Sequence, residues 1–158
     1  MAAALTACLA VFLACASVYA GTMWCVRLFL YQSWVGLTPD NVGVHFTGPV
    51  KAATRFFTIL FPIATVSGVA VLALSWWSWA SLAIAVSLAW LYITLGVFRR
   101  YLVPVNTRIE ESRDPHELTT ELGKWMHWNN VRWMTTTAVW VAAVWCVLAA
   151  GDVGRVTR

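Results

Sequence analysis

Residues 56–98 read FFTILFPIATVSGVAVLALSWWSWASLAIAVSLAWLYITLGVF, and these 43 positions between Arg55 and Arg99 carry no charge. As one helix rising 1.5 Å per residue they would be roughly 65 Å long, about twice a hydrocarbon core of about 30 Å. The stretch therefore divides into two spans, about 56–75 and 79–98, with a tight turn at Ser75-Trp-Trp-Ser-Trp79. Pro62 lies one to two turns into the first of them and loosens or kinks it. Ser67, Gly68, Ser81, Ser87 and Gly96 supply small side chains for close helix approach.

Outward from this pair, the same reading applies to both ends. Residues 2–26 carry no charge, and apolar character continues to Leu30. Ser17-Val-Tyr-Ala20 has the form of a signal-peptidase site but lacks a basic region before it, so a retained first span at about 4–30 is expected. A fourth span is expected at about 131–150, ending near Gly151-Asp152. The chain is 60% hydrophobic and 11% charged over 158 residues, where soluble domains carry about 25% charged residues. The fold class is all-α: a single domain over 1–158, an integral membrane four-helix bundle. The four cysteines (Cys8, Cys15, Cys25, Cys146) lie in apolar runs without ligand spacing and read as small buried hydrophobes. Several of the eleven tryptophans stand where spans end (Trp34, Trp76, Trp77, Trp79, Trp125, Trp128), as interfacial belts require.

The connectors are polar. Residues 35–50 hold turn residues, with Thr38 and Pro39 placed to cap a short interfacial helix carrying His45 and Phe46. Pro49 is placed to open the next helix. Asp114-Pro115-His116-Glu117 starts another: Asp as cap, Pro first, Glu third. Leu118, Leu122 and Trp125 give it an apolar stripe, which predicts an amphipathic helix over 115–124 ahead of the last span. Lys and Arg collect in the connectors after spans one and three, whereas only Arg155 and Arg158 lie on the other side. The positive-inside rule then places both termini outside and the polar connectors in the cytosol of a cell membrane. The net charge of +4 follows this topology and does not point to nucleic acid.

The densest polar stretch is Lys124–Met134, KWMHWNNVRWM. On a helix Trp125, Trp128, Asn129 and Arg132 share one face, and His127 points about a quarter-turn away. An Arg and an Asn entering an apolar span are expensive unless they turn inward to partners or a cavity. A snorkelling arginine is the alternative. Trp24, Arg27, Tyr31 and Trp34 also fall on one face. Arg27 there is either a cation–π anchor at the interface or a second cation beside Arg132. No carboxylate or histidine lies at mid-span, which argues against a pump or ion-coupled transporter. No Glu-x-x-His or His-x-x-x-His motif marks a metal site, and Glu110, Glu111, Glu117 and Glu121 read as a solvated face. The expected pocket lies at the cytosolic mouth, roofed by 115–124, walled by tryptophans and floored by Arg132, Asn129 and Asn106. Such a pocket suits a flat lipophilic molecule whose oxygens become anionic. No cofactor is expected. Beyond lipid and such a small molecule, the expected partners are another protein or a second copy of the chain.

Two short signatures add a resemblance: Pro104-Val-Asn106, and Trp125, Trp128, Asn129, Val131 and Arg132 at the entry to the last span. In these the chain resembles the anthrone oxygenase-like family of small four-span membrane proteins, long catalogued as a domain of unknown function. The resemblance implies oxidation of a lipophilic aromatic or polyketide-type substrate by molecular oxygen, without metal or flavin. The protein would deprotonate an acidic carbon and stabilise the enolate or peroxide charge. Arg132, Asn106 and Asn129 suit the second task, and His127 or His45 would perform the first. Trp125, Trp128, Arg27, Tyr31 and His45 complete the implied binding set. The family's usual histidine falls on Asn129, so a base at that position is missing. The alternative is a non-catalytic membrane subunit, or a lipid- or small-molecule-binding protein.

Overall fold

The computed structural model describes residues 2–75 and 78–156, and among these there are helices and turns but no strand. Four helices are long and apolar enough to cross a membrane, the build of a multi-pass membrane protein. We number them α1 (Ala3–Trp34), α2 (Gly43–Leu74), α3 (Trp79–Glu111) and α4 (Pro115–Val156). Each packs on its neighbours in sequence, and α4 closes the ring against α1. The α2–α3 turn falls where expected, although Trp76 and Trp77 lie outside the described residues. Ser78 caps α3: its Oγ accepts from the Ser81 amide while Ser81 Oγ accepts from the Ser78 amide, both at 3.1 Å.

The helices outrun the expected spans. At 32 residues α2 is about 48 Å long, so about 18 Å extends beyond a hydrocarbon core. The surplus builds a second core at the polar end. Cys15, Phe12, Val71, Ile84 and Val139 belong to the first core, at membrane level. The second gathers Trp34, Phe46, Leu102, Ile109, Leu118 and Trp125. Two expectations change accordingly. Trp34 and Trp125 are 3% and 4% exposed and fill this core instead of a belt, whereas Trp79 is exposed. Residues 115–124 form no separate roof, because α4 runs unbroken from Pro115 through Val156, past the expected end near Gly151. Its start is as read, with the Asp114 carboxylate accepting from the His116 amide at 3.1 Å.

The short helix expected before Pro49 is instead the π-helical first turn of α2, Gly43–Thr47. Asn41 turns the chain into it by accepting from the Thr38 amide at 2.8 Å. Similar π turns interrupt α1 at Val26–Leu30 and α3 at Phe98–Leu102. The one in α1 explains a split face. An extra residue in the turn rotates the rest of the helix by roughly 100°. Trp24 therefore packs outward on Trp133, while Tyr31 and Trp34 turn in towards Trp125.

Helix contacts at membrane level rely on small residues, since lipid is as apolar as the core. Ala80, Ala83, Ser87 and Thr94 line the side of α3 that meets α4. Ser87 Oγ donates to the Val139 carbonyl at 2.8 Å, and Thr94 Oγ1 donates to Thr135 Oγ1 at 2.8 Å. Gly68 is the tightest point: a Cβ there would lie 2.8 Å from Leu88 Cδ2 and 2.9 Å from Phe12 Cε2. Gly96, expected in the same role, has open space. Gly68→Val should lower stability by about 1–3 kcal/mol through overpacking. Gly96→Ala should hold or raise it through helix propensity. Unfolding midpoints in detergent compare the two, and equal midpoints would contradict this packing.

Candidate functional site

Trp125, Asn129 and Arg132 stand at i, i+4 and i+7 on α4 and are all buried. Arg132 is 7% exposed. Each of the other long helices brings it one aromatic ring. Tyr19 comes from α1, Phe57 from α2 and Phe98 from α3, with centroids 5.2, 5.6 and 4.9 Å from the guanidinium carbon. Nε and Nη2 both donate to Tyr19 Oη, at 3.2 and 3.0 Å. Among the described residues no carboxylate pairs with Arg132. The ion pairs lie elsewhere, Lys51 with Glu110, and Arg108 and Lys124 with Glu121. The buried cation is thus held by ring faces and one hydroxyl, with donors to spare.

Two cavities meet at this residue. The inner one, about 210 Å³, reaches to membrane level among Phe12, Cys15, Tyr19, Phe61 and Leu91. The outer one, about 150 Å³, is bounded by Trp34, Leu102, Asn106, Trp125 and Asn129. Thr54, Phe57, Phe98 and Arg132 line both. The hydrogen-bond donors left free in the inner cavity come from its arginines and from Tyr19, not from its threonines. Thr54 and Thr58 spend their hydroxyl protons on the Val50 and Thr54 carbonyls, at 2.8 and 2.9 Å. Tyr19 Oη accepts twice from Arg132, which leaves its own proton for a ligand. Arg99 adds a second cation to the lining. Two cations and a free phenolic proton, in an otherwise mostly apolar chamber, suit an anionic oxygen.

The expected site residues divide sharply. Asn106, Trp125, Asn129 and Arg132 converge on the outer cavity. Trp125 Nε1 donates to Asn106 Oδ1 at 2.8 Å. Asn129 Nδ2 donates to Tyr31 Oη at 3.1 Å, and Tyr31 in turn donates to the Met126 carbonyl at 3.1 Å. Tyr31 therefore stands behind Asn129. Arg27 lies apart, donating to Asn130 Oδ1 and sitting 4.7 Å above the Trp133 ring. Trp128 stacks on Tyr101 with centroids 3.5 Å apart, and His127 meets only the edge of Trp128. His127 and His45 are exposed and line neither cavity, so neither is placed to take a proton there. Among the described residues no three His, Cys, Asp or Glu side chains converge as metal ligands would.

Tyr19, Phe57 and Phe98 do not stand out in the sequence, since aromatics in apolar spans are ordinary. Tyr19 alone leaves a trace, because a mid-span hydroxyl needs a polar partner and the partner available is Arg132. No family model, curated protein or solved structure matches this chain.

Proposed function

We propose that this protein is a four-helix membrane bundle that binds a small lipophilic molecule bearing an anionic oxygen. That group, a carboxylate, phenolate or enolate, lies between Arg132 and the Tyr19 hydroxyl, and the apolar body fills the chamber beyond. One observation carries the reading: a buried guanidinium with no acid partner among the described residues, ringed by three aromatics, between two cavities. A charge in that setting is costly unless something offsets it. An arginine that merely snorkels turns its head to the interface, whereas this one turns inward beside Asn106 and Asn129, which disfavours the purely structural subunit. In the test, protein purified in mild detergent is analysed by native mass spectrometry. A bound acidic lipophile is expected in wild type and missing from Arg132→Leu. Equal occupancy in both would sink the reading.

The same chamber supports a second reading, the cofactor-independent oxygenase that the sequence resembles. The carbon acid would lose a proton and its enolate would pass electrons to dioxygen, ending as a ketone and water. Arg132 and Tyr19 would stabilise the oxyanion. With His127 and His45 outside, the proton would leave to solvent. Anthrone-dependent oxygen uptake that is lost in Arg132→Leu at equal protein level checks this, and unchanged uptake refutes it.

The polar core would lie in the cytosol with both termini outside, because nine of the eleven Lys and Arg residues flank it. Residues 115–124 then form the water-side, amphipathic start of α4. Arg113 is exposed in the connector before α4. In a Cys25→Ser background, Arg113→Cys should resist an impermeant thiol reagent in intact cells and react after lysis. Labelling without lysis would reverse the topology.

A further inference from the structure

A third cavity, about 320 Å³, lies between α2 and the C-terminal part of α3 at the polar end. Thr54 and Phe98 line it, and they line both chambers at Arg132 as well. It also shares Val50 and Asn106 with the outer chamber. Three cavities thus lie in series, with the Phe98 ring at their common partition. Phe98 opens the π-helical turn Phe98–Leu102 of α3, a backbone irregularity that often accompanies functional sites.

Charge runs along the same line. The outermost cavity is lined by exposed Lys51 and Arg55, the inner chamber by Arg99 and Arg132. Glu110 is the one carboxylate lining any of the three, and it is paired with Lys51 across the outermost cavity. With Lys51 and Glu110 offsetting each other, the four cations and one carboxylate leave a net positive path that attracts anions. Exposed charges at its mouth place that mouth in water. The inner chambers, at about 210 and 150 Å³, fit a single chain or a compact ring system, not a two-chain lipid.

We propose that this outer cavity is the entrance to the Arg132 chamber. An amphiphilic monoanion enters from the water phase past Lys51 and Arg55, and the Phe98 ring acts as gate. The inference rests on the anion-binding reading of that chamber. It adds the ligand's source and route.

The probe is 6-(dansylamino)hexanoate, a water-soluble carboxylate, added to protein in nanodiscs. Its association is followed by stopped-flow energy transfer from tryptophan. Lys51→Gln combined with Arg55→Gln should slow association about threefold to tenfold at low salt, the low end of what charge focusing yields. Dissociation should be unchanged. Wild-type association should fall steeply as salt rises, and that of the double variant should fall less. Phe98→Ala should speed both association and dissociation. The entrance is overturned if the double variant associates at the wild-type rate at every salt concentration. It is also overturned if probe preloaded into the nanodisc lipid binds faster than aqueous probe, which would make the route lateral. Wild type that binds no probe, or Arg132→Leu that binds it with full affinity, overturns the reading of the chamber itself.

Discussion

Arg132→Lys should bind the lipophilic anion about 10- to 100-fold more weakly, the loss expected when one charge-assisted hydrogen bond goes. If the chamber is catalytic, turnover should fall on the order of 10²–10³. Lysine keeps the charge but loses the planar fork of donors. An ammonium has three donors but on one nitrogen, so it cannot reproduce the two-nitrogen hold of Nε and Nη2 on Tyr19 Oη while offering a further nitrogen to a ligand. Arg132→Leu should abolish binding while sparing or raising thermal stability, because a costly buried charge leaves a site that no carboxylate among the described residues balances. Binding and melting temperature measured side by side make the pattern diagnostic. If Lys matches wild type in both and Leu fails to fold, Arg132 is structural.

Trp125→Ala should destabilise the protein by about 3–5 kcal/mol, the range for truncating a large buried aromatic. Its ring packs edge-on against Trp34 and Phe46, at 5.2 and 5.1 Å between centroids, and is the hub of the polar-end core. That core extends beyond the hydrocarbon, so removal from water stabilises it as in a soluble domain. Trp125→Phe should cost less, about 1–3 kcal/mol, as Asn106 Oδ1 loses its donor. Denaturant titration of the two variants separates ring from hydrogen bond. A Trp125→Ala protein within about 1 kcal/mol of wild type would mean the second core contributes little.

Span number was legible because 43 uncharged residues admit only one division. The inward face of α4 was legible too, since 3.6-residue periodicity carries Trp125, Asn129 and Arg132 along an uninterrupted helix. It failed on α1, where the π turn at Val26–Leu30 shifts the register and separates Arg27 from Tyr31. Nothing in VRLFL announces that turn. Trp34 was misread for a related reason: an indole beside a charged connector fits a belt and a water-side core equally well. The partners of Arg132 were hidden, apart from the trace that the Tyr19 hydroxyl leaves. Tyr19, Phe57 and Phe98 are 113, 75 and 34 positions away in sequence, and only the closure of four helices brings their rings together.

The unbroken course of α4 also has a mechanical consequence. Its 42 residues form one shaft about 63 Å long, whereas the other three long helices each carry a π turn in their polar-end halves. Bends in helices concentrate at such turns, so compliance resides in α1, α2 and α3 and stiffness in α4. Glu121, clamped by Arg108 and Lys124 at 2.8 and 2.5 Å, and Arg132 ride on the same shaft, eleven positions apart. A displacement imposed at the clamp would therefore be carried along one continuous helix to Arg132, with the jointed helices yielding around it.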